Sequence, residues 1–104
     1  MEVSAKVHVP ASVAAVWRTV GDFGGLANWH PAVAETQAEN GGQRRRVKLM
    51  DGSELVEDLV AHDDAGTRYT YRIVDAGPLP VQDYEATVAV RDTGDGACDV
   101  SWQG

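Results

Sequence analysis

Gly21-Asp22-Phe23-Gly24-Gly25-Leu26-Ala27-Asn28-Trp29-His30-Pro31 sets two large aromatics, a histidine and a proline between a helical segment and a long series of strands. Its glycines rule out a long regular helix. Pro31 excludes His30 from the helical region, so the chain turns extended at Trp29-His30. A segment that is apolar yet irregular is placed across the open end of a curved sheet, with Trp29 and His30 at the mouth of a cavity. The plainer alternative, that Phe23 and Trp29 are core plugs, stays open on aromatic burial alone.

On the N-terminal side, residues 2–9 alternate polar and apolar, which predicts a half-buried strand with Val3, Ala5, Val7 and Val9 on the core face and His8 outside. Pro10-Ala11-Ser12 then opens a helix to about Val20. Val13, Val16, Trp17 and Val20 form its apolar stripe, Trp17 being read as core, and Gly21 ends it.

On the C-terminal side the chain reads as antiparallel sheet. A strand over 32–40 ends at Asn40-Gly41-Gly42, a hairpin signal. Strands follow over 44–50, 54–62, 67–75, 82–92 and from Cys98 through Val100 to Trp102. The turns between them fall at Asp51-Gly52-Ser53, Asp63-Asp64-Ala65-Gly66, Gly77-Pro78-Leu79-Pro80 and Asp92-Thr93-Gly94-Asp95-Gly96. Tyr69, Tyr71 and Ile73 share one face, as do Tyr84, Ala86, Val88 and Val90. A three-residue loop at Asp51-Gly52-Ser53 pairs Leu49 with Leu55, Val47 with Glu57 and Arg46 with Asp58. In that register Leu55, Glu57, Leu59 and Ala61 face inward, and Glu57 becomes an acid on an apolar wall.

A sheet of about seven strands with one apolar face needs a covering layer. One helix and a short turn are too few. The expectation is therefore an incomplete domain, or cover from a partner, with an exposed groove along Leu55, Leu59, Tyr71, Tyr84, Val88 and Trp102.

The 104 residues predict one domain. A net charge of -7 argues against a nucleic-acid or anionic membrane surface. The lone Cys98 leaves no internal disulfide and fits a reducing compartment, so the expected location is cytoplasmic. No apolar run is long enough to span a bilayer. His8, His30 and His62 are scattered, so no metal site and no cofactor is expected. No nucleophile or phosphate-loop motif occurs. Arg44-Arg45-Arg46 reads as a solvated strand end; if Arg45 shares the face of Val47, it can instead take a ligand carboxylate bidentately.

The ordered set Val16-Trp17, Asp22-Phe23, Asn28-Trp29-His30-Pro31, Asp51-Gly52 with Glu57 and Leu59, Asp63-Asp64, Tyr69-Thr70-Tyr71-Arg72-Ile73, Gly77-Pro78-Leu79-Pro80 with Tyr84, and Ser101-Trp102 resembles the helix-grip, START-like (SRPBCC) superfamily. Within it the chain is similar to the polyketide cyclase/dehydrase branch. The resemblance implies an α+β helix-grip fold, a curved antiparallel sheet of about seven strands with N-terminal helices. The family's long C-terminal helix is not found in the chain. A cavity for a small hydrophobic or amphipathic molecule is implied as well. The plant abscisic acid receptors share the fold, but their gate and latch sequences are not present here; two of their polar pocket positions align with His30 and Glu57.

The expected ligand-binding residues are Trp29, His30, Val47, Leu49, Leu55, Glu57, Leu59, Tyr71, Tyr84, Ala86, Val88 and Trp102. Two functions of different class follow: a non-catalytic binding module, or a cyclase or dehydratase with Glu57, His30 and Tyr84 as acid/base groups. The expected partners are the small hydrophobic ligand and, through the uncovered apolar face, a second copy of the chain.

Overall fold

The computed structural model describes residues 4–77 and 84–104. The expected Pro78-Leu79-Pro80 turn, the first two residues of the strand expected over 2–9 and the first two of the strand expected over 82–92 lie outside the described residues.

Seven antiparallel strands form one sheet: β1 (Ser4–Val9), β2 (Val33–Glu39), β3 (Arg44–Leu49), β4 (Glu54–Asp63), β5 (Arg68–Asp75), β6 (Glu85–Asp92) and β7 (Cys98–Gln103). Their spatial order is β1-β7-β6-β5-β4-β3-β2. Strands β2 to β7 thus form a meander, and β1 pairs with β7 at one edge. One α-helix, α1 (Val13–Val20), and a 3-10 segment, Phe23–Asn28, lie between β1 and β2.

Ser12 starts α1 by accepting the Ala15 N–H at 3.2 Å, and the Gly21 N–H closes it on the Trp17 carbonyl at 2.8 Å. The stripe of α1 packs Val20, with Phe23 beyond it, against Tyr69, Tyr71, Val88, Val90 and Cys98. Trp17 packs against this core, and its indole N–H donates to Asp64 at 2.9 Å. A second cluster joins Leu26 of the 3-10 segment to Val33, Val47 and Leu55. The glycine-rich stretch therefore spans both halves of the core: Phe23 is buried at 5% exposure, and Trp29 packs against both clusters.

Five expectations are corrected. The β3–β4 register is offset by two residues: Val47 pairs with Leu55, Arg45 with Glu57 and Arg44 with Asp58. The loop is Met50-Asp51-Gly52, closed by Leu49 N–H on the Ser53 carbonyl at 2.8 Å, with Gly52 at φ +90°. An offset of two keeps every side chain on its face, so Glu57 still points inward, opposite Arg45 rather than Val47. Arg45 is accordingly no solvated strand end: it is 1% exposed.

The register of β4 on β5 shifts between Leu59 and Ala61, leaving Val60 as a bulge. Beyond it His62, not Ala61, stands opposite Tyr69, stacks on its ring at 10° between planes, and bonds the Gly21 carbonyl oxygen through Nε2 at 2.8 Å. At the β1 edge Ala5 and Val7 are exposed, Val7 at 62%, because only Val9 reaches the core. Lastly, the expected groove is not an exposed face: Leu55, Tyr71 and Val88 are buried by the curl of the sheet and by the 3-10 segment, while Leu59, Tyr84 and Trp102 are half-buried.

A curled seven-strand antiparallel sheet with few helices is the helix-grip α+β fold; no long helix occurs among the described residues.

Candidate functional site

The concave face of the sheet holds a pocket of about 320 Å³. Strands β2 to β7 supply one wall, and Leu26, Trp29 and His30 supply the other. The turn before Pro31 places this second wall: the Trp29 and His30 N–H groups both close on the Leu26 carbonyl, at 3.2 and 3.0 Å. His30 then lies between the two indoles, its ring 5.7 Å from Trp29 and 5.5 Å from Trp102.

Of the residues expected from sequence, Trp29, His30, Val47, Leu49, Leu55, Glu57, Tyr71, Tyr84, Val88 and Trp102 line this pocket. Leu59 and Ala86 do not; Ala86 is buried in the core and Leu59 packs beside it. Leu26, Val33, Arg45, Tyr69 and Ile73 also line it. Tyr69 and Ile73 were legible from their alternation with Tyr71, and Arg45 from its parity with Val47.

Arg45 and Glu57 form the polar floor. Arg45 Nε donates to Glu57 Oε1 at 2.7 Å, and Nη2 lies 2.7 Å from the same oxygen. Nη1 donates to the Phe23 carbonyl at 3.0 Å and to the Tyr69 hydroxyl at 3.4 Å. The guanidinium carbon lies 4.2 Å from the Phe23 ring centre and 4.9 Å from that of Tyr71. Burial opposes the charge on Arg45, but Glu57 and the Tyr69 hydroxyl outweigh it, so the guanidinium holds its proton more firmly than usual. Burial pushes the Glu57 carboxyl above its ordinary value, and Arg45 offsets part of that rise. Burial likewise raises both tyrosines.

His30 is not the partner of Glu57. Its Nδ1 accepts the Ala32 N–H at 3.2 Å, and burial followed by the repulsion of Arg45 lowers its pKa. A neutral ring bonded in this way carries its proton on Nε2. Among the described residues, the buried indole nitrogens of Trp29 and Trp102 have no hydrogen-bond partner. Among the described residues, no group of three His, Cys, Asp or Glu side chains is placed to hold a metal, and no helix is long and apolar enough to cross a membrane.

An acid, a cation, a neutral imidazole and tyrosine hydroxyls on otherwise apolar walls can orient a small molecule by a few polar contacts while burying most of its surface.

Comparison with solved structures finds chains of the same fold. XoxI from Bacillus cereus is 27% identical, with a TM-score of 0.93 over 98% of this chain and 72% of that one. Zhui aromatase/cyclase from Streptomyces sp. R1128 is 17% identical, with a TM-score of 0.84 over 99% of this chain and 65% of that one. Norcoclaurine synthase from Thalictrum flavum is 19% identical, with a TM-score of 0.77 over 99% of this chain and 72% of that one. The two enzymes, at these identities, show a shared fold. Comparison with curated proteins found no match. The match to the family described as polyketide cyclase / dehydrase and lipid transport runs over residues 1–104, and the chain belongs to that family.

Proposed function

We propose that residues 1–104 are a single binding domain that takes up a small hydrophobic or amphipathic molecule in the pocket between the sheet and the Trp29-His30 turn. The observation that carries this reading is the pocket itself: about 320 Å³, walled by Leu, Val, Ile and aromatic side chains, with one ion pair at its floor. That volume and composition are those of small-molecule sites. Membership of a family that includes lipid transport supports it. The test is native mass spectrometry of the purified protein, followed by organic extraction. Retention of an apolar molecule that Leu55→Asp abolishes is the expected result; a clean apo mass that accepts no apolar additive refutes it.

A cyclase or dehydratase is the second reading, favoured by the convergence of Glu57, His30 and Tyr84 on one pocket. The two readings separate at Glu57. In an enzyme, Glu57→Gln lowers turnover by about 10²–10⁴-fold, the scale of general acid/base catalysis, with less effect on affinity. In a binding module it changes affinity alone.

A cytoplasmic setting belongs to the same reading, supported by the buried free thiol of Cys98. So does pairing of two copies through the apolar face of the sheet, supported by the partial exposure of Leu59, Tyr84 and Trp102 along it. Sedimentation velocity of wild type and Leu59→Lys tests the pairing.

A further inference from the structure

Arg45 is the one cation among the described residues that line the pocket. An acidic ligand would need it, and it is already engaged. Its Nε and Nη2 both point at Glu57 Oε1, and Nη1 is taken by the Phe23 carbonyl and the Tyr69 hydroxyl. Its faces lie against Phe23 and Tyr71. At 1% exposure it offers a ligand almost no surface. Arg45 and Glu57 together are neutral, so a ligand carboxylate would bring in an excess negative charge.

Glu57 is differently placed. Both short contacts from Arg45 fall on Oε1, and among the described residues Oε2 accepts no hydrogen bond. Among the described residues, the side-chain nitrogens and oxygens that are both sealed from solvent and without a partner are the indole nitrogens of Trp29 and Trp102; Oε2, with no partner there, is not one of them and so keeps some open surface. A carboxylate oxygen accepts and does not donate. The Tyr71 and Tyr84 hydroxyls do both and bring no charge.

Resting on the reading of this pocket as a ligand site, we propose that it selects a neutral apolar molecule carrying a hydroxyl or phenol donor, received at Glu57 Oε2, and discriminates against carboxylates. The same geometry gives Glu57 a second role: it masks Arg45.

The experiment is calorimetric titration, at neutral pH, with three probes of matched shape: 2-naphthol, which donates; 2-methoxynaphthalene, which only accepts; and 2-naphthoate, which is anionic. The wild-type protein is expected to bind 2-naphthol at least about tenfold more tightly than either of the others, the scale of a hydrogen bond to a charged group. Glu57→Gln unmasks Arg45, and its affinity for 2-naphthoate is expected to rise by about tenfold or more as that for 2-naphthol falls. Arg45→Met/Glu57→Leu removes the pair without leaving an unpaired charge, so it keeps the test available if Glu57→Gln fails to fold. In it the preference for 2-naphthol over 2-methoxynaphthalene should disappear. Equal binding of 2-naphthol and 2-methoxynaphthalene by the wild type, tighter binding of 2-naphthoate, or a preference that survives in the double variant overturns this proposal and leaves the ligand site standing. Failure of all three probes to bind overturns both.

Discussion

Arg45 and Glu57 face each other across β3 and β4, and two nitrogens of the one meet a single oxygen of the other at 2.7 Å. Their side chains are 1% and 5% exposed. One residue along each strand, Arg44 and Asp58 make an ion pair of similar length, 2.6 Å, with side chains 37% and 36% exposed. The same chemistry on the same two strands is thus present once in the interior and once in water.

Removing one partner of the buried pair leaves the other as an uncompensated interior charge. Arg45→Met or Glu57→Leu alone should therefore cost about 3–5 kcal/mol, and the double replacement should recover most of it. Asp58→Asn should change stability little, because solvent already screens that pair. Urea denaturation of the four variants checks this. Equal losses at Glu57 and Asp58 would show that burial does not separate the pairs.

What the sequence could deliver here was parity. Alternation put Glu57, Leu55 and Tyr71 on the inner face correctly, since a strand has only two faces. It could not supply partners: the β3–β4 register depends on whether the tight loop begins at Met50 or Asp51, and both choices keep Leu49 and Leu55 inside. The bulge at Val60 is invisible for the same reason, because an inserted residue leaves no compositional mark, and it sets His62 opposite Tyr69 where strict alternation points it outward. Arg45 was concealed by its neighbours. In a run of three arginines solvation is the natural reading for each, yet the middle one shares the parity of Val47.

Gly77 carries a prediction about the strand that holds the floor of the site. Its φ is +54°, and a Cβ there would lie 2.5 Å from the Glu54 carbonyl oxygen. Backbone cannot move aside as a flexible side chain can, and a left-handed residue with a side chain is strained in any case. Gly77→Ala should cost about 1–3 kcal/mol. Gly94→Ala, also at positive φ but with nothing within 4 Å of the added carbon, should cost less. Thermal denaturation compares the two, and an equal loss would remove the contact with Glu54 from the account.

His30 predicts a pH dependence. Burial and then Arg45 hold its folded pKa below the ordinary 6.5. The unfolded chain therefore takes up the proton first, and the neutral ring's contribution to stability is complete above 6.5. It is lost as pH falls through the lowered value. Between neutral pH and about pH 5, wild type should lose more stability than His30→Phe. Parallel melting curves across that range would mean that the His30 ring is freely hydrated.

The last prediction uses the placement of the three tryptophans. Trp29 and Trp102 line the pocket with their rings 5.7 and 5.5 Å from that of His30, and among the described residues their buried indole nitrogens have no partners. Trp17 is outside the lining, and its N–H is held by Asp64 at 2.9 Å. A molecule entering the pocket displaces water from two indoles and leaves the third in its present surroundings. Indole emission follows local polarity, so saturation with decanol, which has no near-ultraviolet absorbance of its own, should shift wild-type emission to shorter wavelength. Trp17→Phe should keep the whole shift. Trp29→Phe/Trp102→Phe, in which Trp17 is the sole emitter, should lose it, while calorimetry still detects the alcohol binding. A shift that persists in the double variant would place the ligand near α1 rather than between the Trp29-His30 turn and β7.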